Sequence, residues 1–374
     1  MKGWYGMTNL LNTMEINVGP QHPSTHGVLR LVLELDGEII KSCKPVVGYL
    51  HRGIEKMAES RSYLQYLPVV DRIDYLGGFF NSYAFCDCVE HIAGIEVPSK
   101  AQYIRVLCME LNRIASHLLW LGTFMLDLGA SSPLFYCFRD RERILHIFEA
   151  LTGQRMMYNY FTFGGVRFDI PSKILDDISK FVDDLPECIE DYENIITNNP
   201  IFTSRCINKG ILTKKSALQY AITGPNLRAS GIELDFRKSN PYLIYDKLDF
   251  DTSYSTVGDV YSRYKVRIFE LYSSLQLVQQ CVDYIKTSKN DCLNSSVKPV
   301  ALNIEGEYTS SVEAPRGLTS CTLKAGGKTP YRVKWRTGSY YAVQILPSIL
   351  IDSELADLMA IFGSLDVILP EVDK

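Results

Sequence analysis

With 374 residues and 46% hydrophobic content, the chain is long enough for two modest domains or one large one around a real core. A formal charge of −4, with no run of Lys and Arg interleaved with aromatics, gives no basic excess to suggest a phosphate-binding surface, so nucleic acid is not an expected partner. Ten cysteines without a CxxC pair, the closest being Cys86-Asp87-Cys88, read as buried reduced thiols and not as a disulfide framework.

Residues 1–16 lack the basic and apolar pattern of a signal peptide and the Arg-rich, acid-poor character of an import helix. The expectation is a protein that works in the compartment where it is made. In the segment 28–35, Leu29, Leu31, Leu33 and Leu35 alternate with other residues, Asp36-Gly37 supplies a tight turn, and Ile39, Ile40, Val46 and Val47 follow, a pattern that predicts a β-hairpin. After Gly53 the period becomes helical. Its clearest stretch runs from Ser99, taken as an N-cap, through Ile104, Leu107, Leu111, Ile114 and Leu118 to Gly129, a long and mostly buried helix. The most apolar window lies there, but His117 and Asp127 interrupt it, and nothing approaches the roughly 20 apolar residues that span a bilayer. Membrane association is therefore expected to run through partners.

Further helices are predicted near 72–93, 134–151, 173–198 and 254–287, and the acids between Asp176 and Glu193 read as the solvated face of an amphipathic helix. Beyond Asn290, VALNIEGEY, TLKAGG and YRVKW read as short strands separated by Gly and Pro, followed by a helix over 347–362 and an acidic tail. The fold class is α+β: an N-terminal β-hairpin region (1–52), a central helical bundle (53–288) and a C-terminal mixed region (289–374).

Three constellations could carry chemistry. GPQHPSTHGVLR, residues 19–30, sets His22 and His26 in a loop stiffened by Gly and Pro, which is how a loop presents a side chain rigidly to a cavity. It reads equally as a turn with surface histidines; metal binding by two histidines four apart is disfavoured because the loop is not helical. DRIDYLGGF, residues 71–79, places three charges beside Tyr75 ahead of an apolar helix, either as capping acids with a core Tyr or as a site. Asp127 closes the long helix, where the macrodipole disfavours an anion, so it either points to solvent or has a partner.

Together with their flanks these segments resemble one family. GPQHPSTHGVLR, GYLHRGIEK, LPVVDRIDYL, RIASHLLWLG, FRDRER, GGVRFDIP, LRASGI, DFRKSNPY, YDKLDFD and GSLDVILPEVDK occur in order from residue 19 to the C-terminus. The chain resembles the quinone-site subunit of respiratory complex I, the subunit that descends from the large subunit of nickel-iron hydrogenases. The resemblance implies a hydrogenase-large-subunit-like fold and a share in the reduction of quinone to quinol coupled to proton translocation. It places His26 and Tyr75 on the two carbonyl oxygens of the quinone, as hydrogen-bond partners and proton donors. Asp127 would pair with His26, and His22, Arg52 and Met157 would fall on the cofactor side, Arg52 approaching the terminal iron–sulfur cluster. Four cysteine ligands are usual for such a cluster and this chain has no suitable group of them, so the 4Fe-4S cluster is expected in a neighbouring subunit and no tightly bound cofactor here. The implied partners are that cluster-bearing, hydrogenase-small-subunit-like chain, a ferredoxin-like chain, an adjacent peripheral subunit and the membrane arm. The implied location is the matrix, cytoplasmic or stromal side of an energy-transducing membrane.

Two other readings stand beside this one. A membrane-bound nickel-iron hydrogenase would hold nickel with two CxxC pairs; the matching segments here, 71–75 and 365–370, contain no thiolate. An inactive scaffold of the complex would have lost His26, Tyr75 or Asp127, and all three are present. Two departures from the family bear on the quinone. Where ubiquinone-using members commonly carry His, this chain has Met157, which cannot donate a hydrogen bond, and the region between Asn290 and Glu313 lacks a helix that many mitochondrial members insert. Both features resemble members that use menaquinone or plastoquinone.

Overall fold

The computed structural model describes residues 13–20, 27–288, 291–295 and 302–374. Leu31, Leu33 and Leu35 of the alternating leucines lie in strand β2 and Leu29 just before it, but the hairpin proves to be three strands, β1 (Thr13–Val18), β2 (Arg30–Asp36) and β3 (Ile39–Val46), antiparallel in that order. Leu29, Leu31, Leu33 and Leu35 are at most 2% exposed, while Glu34 and Asp36 face out, and Gly37 makes the turn at φ +62. Strand β1 carries too little alternation to be read from sequence, with Met14 60% exposed; its pairing of Ile16 with Leu33 defines it.

Two short helices follow, α1 (Ile54–Ala58) and α2 (Tyr63–Val70), the second opened by a capping box between Ser62 and Gln65. The helix expected from residue 72 begins later, as α3 (Gly78–Ala93), because residues 71–77 are held in turns. The long helix is α4 (Ser99–Asp127), buried on most of its surface. Ser99 is not its N-cap: Pro98, extended at φ −58 and ψ 145, holds that position, and Ser99 is the first helical residue. Next come α5 (Ser132–Thr152), a two-residue hairpin of β4 (Phe161–Thr162) and β5 (Gly165–Val166), and α6 (Ser172–Ile196). Helix α6 buries Ile178, Phe181, Leu185, Ile189 and Tyr192 and turns Asp176, Asp177, Asp183, Glu187, Glu190 and Asp191 outward, the solvated acidic face its pattern predicted.

Asn199 caps α7 (Pro200–Cys206), and the short helices α8 (Lys214–Gln219), α9 (Gly224–Arg228) and α10 (Phe236–Ser239) lead to α11 (Val260–Thr287). Helix α11 starts six residues later than 254 because the Asp259 carboxylate accepts from the Ser262 amide at 2.7 Å and sets the cap there. The predicted strands form the antiparallel meander β6 (Ile304–Ala314), β7 (Gly317–Gly327) and β8 (Pro330–Arg336). The helix expected over 347–362 is two helices, α12 (Gly338–Leu350) and α13 (Leu358–Ser364), followed by α14 (Leu369–Asp373). Between α12 and α13 the chain pairs with β3: Ile40 donates to Ser353 O and Asp352 to Ile40 O, both at 2.9 Å, with Asp352 at φ +61. A helix could not make those bonds. One hydrophobic core runs from Leu29 to Val372, and no helix among the described residues is long and apolar enough to cross a membrane.

Candidate functional site

Tyr75 stands in the turn between α2 and α3, and the turn folds inward on its own acids. Asp71 and Asp74 are 1% and 3% exposed, so they are not solvent-facing caps. The chain can close over them because two glycines follow: a Cβ at Gly77 would sit 2.5 Å from Asp74 Oδ2. Asp71 accepts from the Ser82 hydroxyl and from the Asn159 amide at 3.1 Å; burial pushes its carboxyl up to about 6, against these hydrogen bonds. Asp74 accepts from the Leu76 amide at 3.0 Å and pairs with Arg316, and Leu76 O accepts from Asn112 of α4 at 2.8 Å. Tyr75 is half-buried. Burial first, then Asp74, raises its hydroxyl above the ordinary phenol value, with Arg316 and Arg141 opposing. It is a proton-holding hydroxyl at neutral pH.

Arg316, in the turn between β6 and β7, joins this segment to the C-terminal residues. Its guanidinium lies 3.4 Å from Asp366 and 3.6 Å from Glu371, besides Asp74, and donates to the Ser116 hydroxyl of α4 at 2.9 Å. The two segments that would carry nickel ligands in a hydrogenase, 71–75 and 365–370, therefore do meet in space. What meets there is carboxylate on guanidinium, and carboxylates already committed to an arginine are not the soft donor set that nickel takes in such enzymes. No group of three or more His, Cys, Asp or Glu among the described residues is arranged to hold a metal ion.

Arg52 lies against the same structure from the N-terminal side. It donates to Arg72 O at 2.9 Å and Pro370 O at 3.1 Å, so it bridges the Tyr75 turn and α14. Asp373 accepts from the amides of Gly48 and Leu50, both at 2.7 Å, which fixes the loop that carries Arg52. Met157 approaches from a third direction. It adopts φ +60, uncommon for a residue with a side chain, and the next two residues tie it to the turn: Tyr158 stacks on Phe79 at 4.3 Å, and the Asn159 amide is the one that bonds Asp71.

Asp127 is the last residue of α4 and is half-buried. A Cβ at Gly363 of α13 would lie 3.8 Å from its Oδ2, and Trp120 donates to Gly363 O at 2.8 Å. Asp127 stands eleven residues beyond Ser116, roughly 16 Å along the helix axis at 1.5 Å per residue. The structure thus gathers Tyr75, Arg52 and Met157 about one turn and sets Asp127 further along the same helix. His22 and His26 lie outside the described residues. The nearest described residue, Gly27, touches α14, since a Cβ there would meet the Leu369 side chain at 3.0 Å.

Sequence reasoning missed Arg316, Asp366 and Glu371 as a group, and also a larger buried ion network behind the site. On α4, Glu110, Arg113 and His117 fall on one face at helical spacing. Glu110 bonds Arg113 and Arg237, Arg237 pairs with Asp235, Arg228 pairs with Glu270 at 2.5 Å and Glu313 at 2.8 Å, and His117 meets Glu270 at 2.9 Å. Burial pushes the Glu110 carboxyl up, but Arg113 and Arg237 overcome this and hold it at about 2. The network locks α4 to α9, α10, α11 and β6, and so fixes the helix on which the Tyr75 turn rests. The signal that could have found it is the spacing of Glu110, Arg113 and His117 along a mostly apolar helix.

A three-stranded N-terminal sheet, a bundle around a buried helix rich in ion pairs, and a C-terminal segment folded back onto a Tyr-bearing turn define one class of protein. The family model described as "Respiratory-chain NADH dehydrogenase, 49 Kd subunit" matches residues 127–374, and the chain belongs to that family. A subunit of the NADH-quinone oxidoreductase of Geobacillus kaustophilus (strain HTA426) is 46% identical over 361 residues, which cover 96% of this chain and 98% of that one. The corresponding subunits from Geobacillus thermodenitrificans (strain NG80-2) and Bacillus cereus (strain ATCC 10987 / NRS 248) are each 45% identical over the same shares.

Proposed function

We propose that this chain forms one side of the pocket in which a complex I-type NADH:quinone oxidoreductase reduces quinone to quinol. The observation that carries the reading is Tyr75: a half-buried hydroxyl kept protonated, on a turn that two buried acids, Arg316 and the 157–159 segment hold in place. A quinone that gains two electrons becomes a dianion unless protons arrive with them, so the pocket needs donors at both carbonyl oxygens. Tyr75 serves one, and His26 the other, with Asp127 orienting His26 from the end of α4. Arg52 and Met157, with His22, would lie toward the terminal 4Fe-4S cluster of a neighbouring, hydrogenase-small-subunit-like chain, the group that would supply the electrons. The electrons come from NADH through that chain and a ferredoxin-like one. An adjacent peripheral subunit and the membrane arm complete the assembly, which couples the reaction to proton translocation. The chain sits peripherally, on the matrix, cytoplasmic or stromal side of the membrane. Met157 in place of a hydrogen-bond donor favours a low-potential quinone. Extraction of the purified assembly tests this: a stoichiometric menaquinone-type or plastoquinone-type molecule, lost when Tyr75 and His26 are replaced, is the expected result. Retention of the same quinone in that variant would refute the assignment.

A further inference from the structure

A cleft of about 450 Å³ opens between the Arg52 loop, α1, β8, the start of α12 and the end of α14. It shares the Arg52 loop and α14 with the Tyr75 turn. Its walls carry both signs of charge, and the two signs are treated differently. The acids are occupied from within. Glu55 accepts from the Trp335 amide at 3.0 Å and pairs with Lys334 at 3.0 Å, and the Asp373 carboxylate takes the Gly48 and Leu50 amides.

Two cations have no acid within ion-pair distance among the described residues. Arg336 donates to Leu318 O at 2.5 Å, Ala221 O at 2.8 Å and the Thr223 hydroxyl at 3.2 Å, and Lys374 gives one of its three N–H groups to Trp335 O at 2.6 Å. Both are half-buried, and burial pulls each below its ordinary value. Aromatic faces hold them in place: Arg336 lies 4.4 Å from the centre of the Tyr341 ring and Lys374 5.7 Å from that of Tyr340, with the two rings edge to face at 5.6 Å. The exposed cations of the same strand are the ones with acids. Lys334, 63% exposed, reaches Glu55, and Arg332, 53% exposed, reaches Glu59 at 3.5 Å. A chain complete in itself would show the reverse, because a charge taken from water needs a counter-ion more than one left in it.

We infer that this cleft receives an acidic segment of another subunit of the enzyme, with an Asp or Glu carboxylate facing Arg336 and Lys374 and an apolar neighbour against Tyr340. The inference needs only the chain's membership of a multisubunit enzyme and is independent of the Tyr75 reading. A carboxylate supplies what the two cations lack, two oxygens that accept charge-assisted bonds from an ammonium and a guanidinium held in fixed positions. Tyr340, 38% exposed, offers apolar area beside them. The acidic face of α6 on a second copy of this chain fits less well, since a helix about 10–12 Å across is broader than a cleft of this volume, whereas an extended segment enters it.

The test is carbodiimide cross-linking of the purified assembly, which joins an amine to a carboxylate only where the two already touch. Lys334 and Glu55, 3.0 Å apart, serve as the internal control. Lys374 should be found linked to an Asp or Glu of another subunit. Lys374→Gln should abolish that link and raise the rate at which the assembly loses this chain at moderate salt by about tenfold, read by native mass spectrometry. If Lys374→Gln does not assemble, the link in the unmodified enzyme decides the question. A Lys374 that stays unlinked while the control link forms, or that links only to acids of this chain or of a second copy, overturns the proposal. So does a Lys374 that becomes open to acetylation only once anionic phospholipid has been washed away, because a lipid headgroup then fills the cleft. None of these results bears on the kinetics of Tyr75→Phe, so the quinone reading stands or falls separately.

Discussion

Replacing Tyr75 with Phe is the cleanest probe of the site, because the structure limits what else the change can do. The ring stays, and its packing in the turn stays with it. The hydroxyl makes no hydrogen bond to another described residue, so the variant strands no buried partner within the chain. What it removes is a donor to a quinone oxygen, a loss of roughly 0.5–1.5 kcal/mol if water can replace it and up to about 3 kcal/mol if the oxygen is left unpaired. At about 1.4 kcal/mol per decade this is a fall in kcat/KM between about twofold and about a hundredfold, with the lower half of the range favoured because Tyr75 is only half-buried. Since burial raises the hydroxyl above its ordinary value, Tyr75 remains a donor across the neutral range, and the loss should be the same at pH 6 and pH 8. Steady-state NADH:quinone oxidoreduction by the purified assembly, over a range of short-chain quinone concentrations, measures it. Unchanged kinetics in an intact complex would refute the role, and a loss confined to alkaline pH would refute the argument from burial.

Asp71 has a folded-state carboxyl raised to about 6 from an ordinary 3.8, so the folded chain binds more protons than the unfolded one between those values, and stability declines as pH rises through that window. Asp71→Asn removes the titration, and its stability relative to wild type should improve by about 2–3 kcal/mol between pH 4 and 7 in denaturation of the chain; a difference independent of pH counts against it. Met157→His should make the midpoint potential of the neighbouring cluster fall with pH between about 6 and 8, as followed by EPR-monitored titration, whereas the unmodified enzyme stays flat. The backbone there, at φ +60, is one His tolerates better than most residues; a steep dependence in the unmodified enzyme would point to another titrating group. If His26 and Asp127 act as a pair, His26→Ala and Asp127→Asn combined should slow turnover no more than the worse single change, and additive losses would separate them.

The parts of the fold that alternation and helical spacing encode were legible. The leucine strand, the long buried α4 and the acidic face of α6 each express a period, and each stands where its period put it. What escaped was set by contacts distant in sequence. Residues 351–354 have a helical flavour, yet they pair with β3, because the edge of that strand offers backbone partners a short helix could not match. Strand β1 exists because β2 has a free edge, not because its own six residues alternate. In the site, Tyr75 stood out through its neighbours in the chain. Its supports did not: Arg316 lies 242 positions beyond the Asp74 it pairs with, Glu371 joins the site through Arg316, and no local pattern announces either. Asp366 carried the least signal of all, a single acid after a run of apolar residues, although its φ of +55 marks it in the structure.

The clasp between the start and the end of the chain has a consequence for how the protein is made. The Arg52 loop is held by Asp373 across as many as 325 positions, so it belongs to no locally folding unit. Loops of that span close slowly, and contacts so distant come late in folding. During synthesis at about 5–20 residues per second, the loop waits roughly 15–65 s before its partner leaves the ribosome. Over that interval the N-terminal sheet and α4 are available to fold while the Arg52 loop lacks its bonds to Asp373 and Pro370. The arrangement in which Arg52 bridges the Tyr75 turn and α14 is therefore complete only after residues 370–373 have been synthesised and docked.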